Sequence, residues 1–495
     1  MGALASAFRK TFLSSQSTRA AMVLSTVLNV LTRLTNYGRN LVIAFVIGYS
    51  LGTDAFFMAT SLVGIFVLFA DVFDSLGIPS MVKEKENGAE GYNQYLKTLL
   101  TFSVALGLAL SVLNLAFAPL MARLAVGMTP EGKLITRNML MLLTPYVFFY
   151  VCFHHFGAIF RAERKYQVFY LGYLAFSVSL VILLVLMNIN GRSAYTIAVS
   201  YSAAQFFSTA LMAYLGRKHL SFGFRMNEKT RRLLKEFVYL SGFYGVSNLF
   251  ILIDKIYASL LPPTYITALS FGTILVYAVR NLMNFENIFI TTLSETEVDR
   301  DMLTDYLKFL LFTSIPVSVF FFFNSYELTK IVYGYGLVKE KDVLITAQAV
   351  KYFSFIIPLL ALWATIYRAM QVLKKMGWLF VNAVISVLVS IGLNYFFVVR
   401  LKLGIAGIAA GTILAFSMPI LASMLILNRI KKINLPQMFN TNYALFLPLV
   451  AAAWLVSRIS LAGLYADFAL KAAVFGLFFV FYFWKEHGKI SVYEK

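Results

Sequence analysis

Arg33 and Arg39 lie inside the first long apolar stretch of the chain, Met22–Tyr49. A charged side chain near the centre of a bilayer costs about 2.5–3.5 kcal/mol on insertion scales, so such residues face a bundle interior or a watery cavity. The pair therefore announces a cationic chamber within a membrane, and a chamber of that sign suits an anion. Asn29, Arg33, Asn36 and Asn40 follow at steps of four, three and four, which puts them on one face of a helix. Arg39 is off that stripe by roughly a third of a turn, beside Gly38, where a helix can bend. Guanidinium suits phosphate because its planar fork donates two parallel hydrogen bonds and stays charged. Arg280 lies in a further apolar stretch, Leu275–Asn287, and Lys255 lies in another, beside Asp254. The candidate substrate ligands are thus Arg33, Asn36, Arg39, Lys255 and Arg280. The competing reading pairs the arginines with the intramembrane acids Asp71, Asp74, Asp254 and Glu286, so that they only hold helices together.

Neighbours in sequence do not face each other on a helix, so Asp254 and Lys255 each need a partner of their own. Lys255 lines the chamber or snorkels outward. Asp54 either caps the second helix or latches an outer gate against an arginine. His154 and His155 lack companions at metal-ligand spacing, and one of them facing the cavity would be a proton carrier. Asn382 and Asn394 are candidate carbonyl ligands for a coupling cation. Tyr and Phe are assigned mostly to lipid contact and interface belts. The single cysteine, Cys152, excludes an internal disulfide framework. No P-loop, Gly-rich nucleotide fingerprint or nucleophile–base pair occurs, so no enzyme and no cofactor are expected. Uphill work must come from membrane potential, H+ or Na+, from a partner, or from withdrawal of the product.

The elements that position these residues are membrane helices. The chain of 495 residues is 60% hydrophobic and only 13% charged. Apolar runs of about 20 residues recur throughout, each long enough to cross the hydrocarbon as a helix. They are continuous rather than alternating, which excludes a β-barrel. The expected fold is all-α, with about fourteen spans. In the first half these fall near 23–48, 54–76, 96–118, 137–160, 166–188 and 195–215. In the second they fall near 234–260, 265–290, 305–325, 344–367, 377–398 and 404–428, followed by 443–459 and 465–484. The net charge of +20 sits in short loops, not on a globular face, so nucleic acid is rejected as a partner. Lys and Arg favour alternate loops, including a cluster from Arg217 to Lys235, and this places both termini in the cytoplasm. The loops near Arg123–Arg137 and Lys330–Lys341 break the pattern, and amphipathic outer segments would hold their charges. No cleavable signal peptide is evident.

The chain also resembles itself. Ile159-Phe-Arg-Ala162 and Ile366-Tyr-Arg-Ala369 each precede a loop and an apolar run, and Gly38-Arg-Asn40 parallels Asp254-Lys-Ile256. This gives an N-terminal arm 1–22, an N-lobe 23–215, a linker 216–233, a C-lobe 234–428 and a C-terminal helix pair with a tail, 429–495. Two six-helix lobes around a central site are a transporter architecture.

Thr32-Arg33, Tyr37-Gly-Arg39, Gly52-Thr-Asp-Ala-Phe-Phe57 and Tyr277-Ala-Val-Arg280-Asn-Leu-Met resemble the MviN/MurJ-type lipid flippases of the MOP transporter superfamily. Phe117-Ala-Pro-Leu120, Thr346-Ala-Gln-Ala349 and Asn394 with Gly404-Ile-Ala-Gly407 extend the match over most of residues 25–430. The resemblance implies a two-lobed, fourteen-helix protein of the bacterial cytoplasmic membrane that moves lipid II, a polyprenyl-diphosphate-linked saccharide, to the outer leaflet. It implies that Arg33, Arg39 and Arg280 face the diphosphate in a cationic cavity and that Asp54 is the outer-gate acid. It also implies that the last two helices border a groove for the prenyl tail, and it makes cell-wall or polysaccharide synthesis proteins possible partners. The family's arginine pair in the second helix is absent where this chain reads Gly64-Ile-Phe-Val-Leu-Phe-Ala70. That departure leaves a capsule, exopolysaccharide or O-antigen unit open as the cargo. A cation-coupled multidrug exporter of the same superfamily is the further alternative, disfavoured by the arginines.

Overall fold

A computed structural model describes residues 18–72, 77–86, 88–189, 191, 193–223, 231, 235, 248–282, 298–373, 375–439, 446–459 and 463–487. Among these residues the regular structure is entirely helical. With no water in hydrocarbon to satisfy the backbone, helices close their own hydrogen bonds. The chain forms two compact units, Met1–Leu252 and Ile253–Lys495.

In the first unit, α1 (Thr18–Val46) packs on α7 (Tyr166–Met187), and α7 on α8 (Tyr195–Leu215). The helix α4 (Ala89–Ala122) packs on α6 (Thr144–Ala162), and α2 (Leu51–Val72) packs on α5 (Pro130–Leu142) and α6. A short α3 (Ile78–Glu86) joins α2 to α4. The boundary falls within α9 (248–258), and the second unit continues with α10 (Tyr265–Leu282), α11 (Arg300–Phe323), α12 (Ser325–Tyr333), α13 (Glu340–Phe353) and α14 (Ile356–Val372). It continues with α15 (Met376–Asn394), a π-helical turn at Tyr395–Arg400 and α16 (Gly404–Arg429). It ends with α17 (Leu435–Phe439), α18 (Phe446–Ser457) and α19 (Leu464–His487).

Among the described residues, eight helical spans are long and apolar enough to cross a membrane, and nine if a bent pair counts as one span. The sequence-based expectation was about fourteen. Part of the difference is that polar residues and breaks interrupt the spans. The helix α1 carries Arg33 and Arg39. The span expected at 137–160 is kept as one of the eight, Pro130–Ala162, although a turn at Leu143 divides it into α5 and α6, where Pro145 opens the second helix. The span expected at 344–367 is interrupted by a 49° bend between α13 and α14.

A break exposes carbonyls that must find donors. Asn114 of α4 donates to the Leu140 carbonyl at 2.8 Å, Ser202 of α8 to that of Leu142 at 2.6 Å, and Ser111 of α4 to that of Thr144 at 3.3 Å. In the second unit Ser318 of α11 donates to the Ser354 carbonyl at 2.9 Å, at the α13–α14 bend.

The C-terminal pair α18 and α19 docks within the second unit. Phe446 joins Phe312 and Leu449 in a buried apolar cluster. Phe320 contacts Phe468 and Phe475 at ring separations of 5.8 and 5.0 Å. Lys471 bonds Glu327 at 2.6 Å and Asp467 at 2.7 Å. Large apolar side chains such as Val112, Leu388 and Leu477 are more than 60% exposed, as lipid-facing residues are.

Candidate anion-binding site

The candidate ligands of the first unit sit on α1, against α7. Thr32 donates to the Tyr170 carbonyl at 3.4 Å, and Ser177 donates to Asn36 Oδ1 at 2.8 Å. Asn40 is buried and donates to the Asn36 carbonyl of its own helix at 3.0 Å. Asn36 and Asn40 are therefore engaged in helix packing. Arg33 is half-buried and lies within electrostatic reach of Tyr170. The side chain of Asn29 lies outside the described residues.

Arg39 is placed differently. Its guanidinium carbon lies 5.6 Å from the centre of the Phe176 ring and 5.4 Å from that of Tyr201. The two rings meet edge to face at 5.8 Å. Phe56 and Tyr146 brace Tyr201 at 5.1 and 6.0 Å. Two helices, α7 and α8, thus supply an aromatic cage for one cation, and α2 and α6 brace it. The expectation that aromatic residues belong mostly to lipid contact overlooked this cage, because residues so far apart in sequence give no spacing signal. The Arg39 Nε is buried without an acceptor, and among the described residues no carboxylate pairs with the guanidinium. Each cation–π contact is worth about 0.5–1 kcal/mol when exposed and ~2 when desolvated. Two of them offset much of the insertion cost of about 2.5–3.5 kcal/mol while leaving the buried Nε–H without an acceptor among the described residues.

Asp54 lies in the first turn of α2 and is 2% exposed. The helix is capped by its neighbours: Thr53 Oγ1 accepts from the Ser50 backbone N–H at 2.8 Å, and Ser50 Oγ accepts from that of Thr53 at 3.2 Å. Asp54 is thus not the cap, though its charge suits the helix N-terminus.

In the second unit Asp254 is buried on α9 and accepts a hydrogen bond from Thr412 of α16. Lys255 is 8% exposed and does not snorkel outward. Arg280 lies near the end of α10, and its side chain is outside the described residues, as is that of Asp71. Asp74 and Glu286 lie wholly outside them. Asn394 is fully buried: its amide donates to the Ser390 carbonyl at 3.0 Å, and its side chain packs against Gly411. Asn382 is half-buried on α15.

The histidines belong to the interior of the first unit. His155 Nδ1 lies 3.0 Å from Ser103 Oγ, and His154 Nε2 lies 3.1 Å from the Tyr173 hydroxyl. A charge cluster not foreseen from sequence closes the α6–α7 turn. Glu163 receives Lys165 at 2.6 Å, His219 at 2.8 Å and Lys218 at 3.4 Å. Burial alone would raise the Glu163 pKa, but the bonds from His219 and Lys165 prevail and hold it far below the usual carboxylate range.

A helical membrane protein of two units, with a caged cation that no carboxylate pairs among the described residues, falls in the class of multi-pass transporters. Its fold is shared by a solved structure titled "Lipid II flippase MurJ, inward closed conformation", with a TM-score of 0.78 over 94% of this chain and 99% of the other at 19% identity. An inward-facing MATE-family multidrug resistance transporter of the MOP superfamily aligns with a TM-score of 0.59, covering 83% of this chain and 99% of that one at 14% identity. The chain belongs to the family described as "Lipid II flippase MurJ", whose model matches residues 43–476. A relative from Thermotoga maritima, named "Probable lipid II flippase MurJ", is 24% identical over 398 residues, 78% of this chain and 80% of the relative.

Proposed function

We propose that this protein is a flippase that carries lipid II from the cytoplasmic to the outer leaflet of a bacterial cytoplasmic membrane, with both termini inside. The observation that carries this reading is Arg39, a guanidinium on α1 held by rings and left without a carboxylate among the described residues. A diphosphate supplies what that group lacks, a bidentate anionic acceptor in a low-dielectric setting. Arg33, Arg280 and Lys255 are the further cations for the anionic cargo, with Asn36 orienting α1. The lobes alternate access, the headgroup crosses between them while the prenyl tail stays in lipid, and Asp54 latches the outer gate. The C-terminal pair borders the tail. Membrane potential, H+ or Na+ drives the cycle without a bound cofactor. No chemical bond is made or broken. Proteins of cell-wall or polysaccharide synthesis supply and consume the cargo.

A second reading, a different lipid-linked saccharide, is favoured by the apolar run Gly64–Ala70, where the second helix brings no arginine. Leaflet-resolved transport in vesicles containing either lipid II or a capsule-type polyprenyl-diphosphate sugar tests both. Wild-type protein is expected to move lipid II, and Arg39→Ala and Arg280→Ala to slow it about tenfold or more, the loss of one charge-assisted pair. Transfer of the capsule-type lipid alone would establish the second reading. Undiminished transport by both variants would remove the arginines from the mechanism.

A further inference from the structure

We propose that Phe176 and Tyr201 are positioning residues, whose rings hold the Arg39 guanidinium in place and unpaired so that its N–H fork is ready for a diphosphate. The inference rests on the flippase reading for its cargo, and on geometry alone for the cage. A long arginine side chain in a bundle loses its directional value if it rotates freely or folds onto a carboxylate. Here neither happens among the described residues. Two ring faces at 5.4 and 5.6 Å restrict the head. Phe176 is only 6% exposed, and Tyr201 is fixed by Phe56 and Tyr146, so the cage is itself immobilised by packing. A ring face attracts the cation but accepts no conventional hydrogen bond from it, so the donors remain available. A carboxylate in the same place would neutralise the group and compete with the ligand. The cage also sets the plane of the fork, which matters for bidentate recognition and not for a point charge.

Two readouts test the proposal on the full-length protein, using Phe176→Met and Tyr201→Met, which fill the volume without a ring, and Tyr201→Phe, which keeps the ring. The first is modification of Arg39 by phenylglyoxal, followed by mass spectrometry, with inorganic pyrophosphate as protecting anion. The Met variants should need about five- to tenfold more pyrophosphate for half-protection, and Tyr201→Phe should match wild type within about twofold. The second is the dependence of transport rate on lipid II content in vesicles. The Met variants should raise the half-saturating content by a similar factor and leave the maximal rate nearly unchanged. In an Arg39→Ala background they should add no further loss. Pyrophosphate protection and half-saturation equal to wild type in both Met variants would overturn the cage. So would an additional loss in the Arg39→Ala background as large as that in wild type. Normal cage behaviour toward pyrophosphate without lipid II transport would retain the cage and discard the cargo.

Discussion

Arg39 and Asp54 illustrate how position, rather than residue type, divides labour within one family motif. Both are ionisable groups near the start of the chain's membrane region, yet Arg39 meets rings and Asp54 is packed into the first turn of α2. Because Ser50 and Thr53 cap the helix start, the gating role proposed for Asp54 can be separated from capping by mutation. Thr53→Ala should cost about 1 kcal/mol of stability and leave transport per folded molecule unchanged. Asp54→Asn should leave the melting temperature close to wild type and slow transport about tenfold or more, as expected for a lost charge-assisted hydrogen bond. Thermal unfolding in detergent beside vesicle transport reads both. Normal transport by Asp54→Asn would return the residue to a purely structural role. The arginine's place on a helix with apolar flanks was legible from the sequence. Its partners were not, because Phe176 and Tyr201 approach it only after α7 and α8 fold back.

At the scale of elements, the breaks are as informative as the helices. Pro145 signals one of them, but the sequence does not say that Asn114, Ser111 and Ser202 supply the missing donors. Those polar residues in apolar runs serve the backbone rather than a ligand. Close approach has the same character. A Cβ on Gly52 would sit 2.4 Å from the Ala194 Cβ, whereas one on Gly64 of the same helix meets nothing within 4 Å. Gly52→Ala should therefore destabilise by about 1–3 kcal/mol through overpacking. Gly64→Ala should be neutral or stabilise by about 0.5–1 kcal/mol, the usual helix preference for alanine. Melting temperatures of the two variants check this, and an equal response would mean that α2 and the α7–α8 loop do not meet closely.

For the whole molecule, both units contain a divided span whose exposed carbonyls are met by side chains from another helix of the same unit. Global stability is also tied to charge at the α6–α7 turn. The Glu163 pKa is depressed in the folded state, so its contribution is complete above the ordinary carboxylate value of about 4.3 and is lost as pH falls toward the lower folded value. Wild type should be more stable than Glu163→Gln at pH 7, and the gap should shrink as pH falls below about 4. Unfolding curves from pH 7 to pH 3 measure that gap, and a constant difference would show that titration of Glu163 is not coupled to folding.

Apolar runs and their polar interruptions by themselves determined an all-helical membrane protein. Transfer free energies act residue by residue along the chain, which is why composition and spacing suffice for that much. Tertiary structure alone decided that Asn36 ties α1 to Ser177, that Lys255 stays inside, that Asp54 is not a cap, and that Arg39 is held by aromatic faces. These outcomes depend on contacts between residues up to 162 positions apart, such as Arg39 and Tyr201. Side-chain chemistry sets what such contacts are worth, but only chain packing sets which of them form.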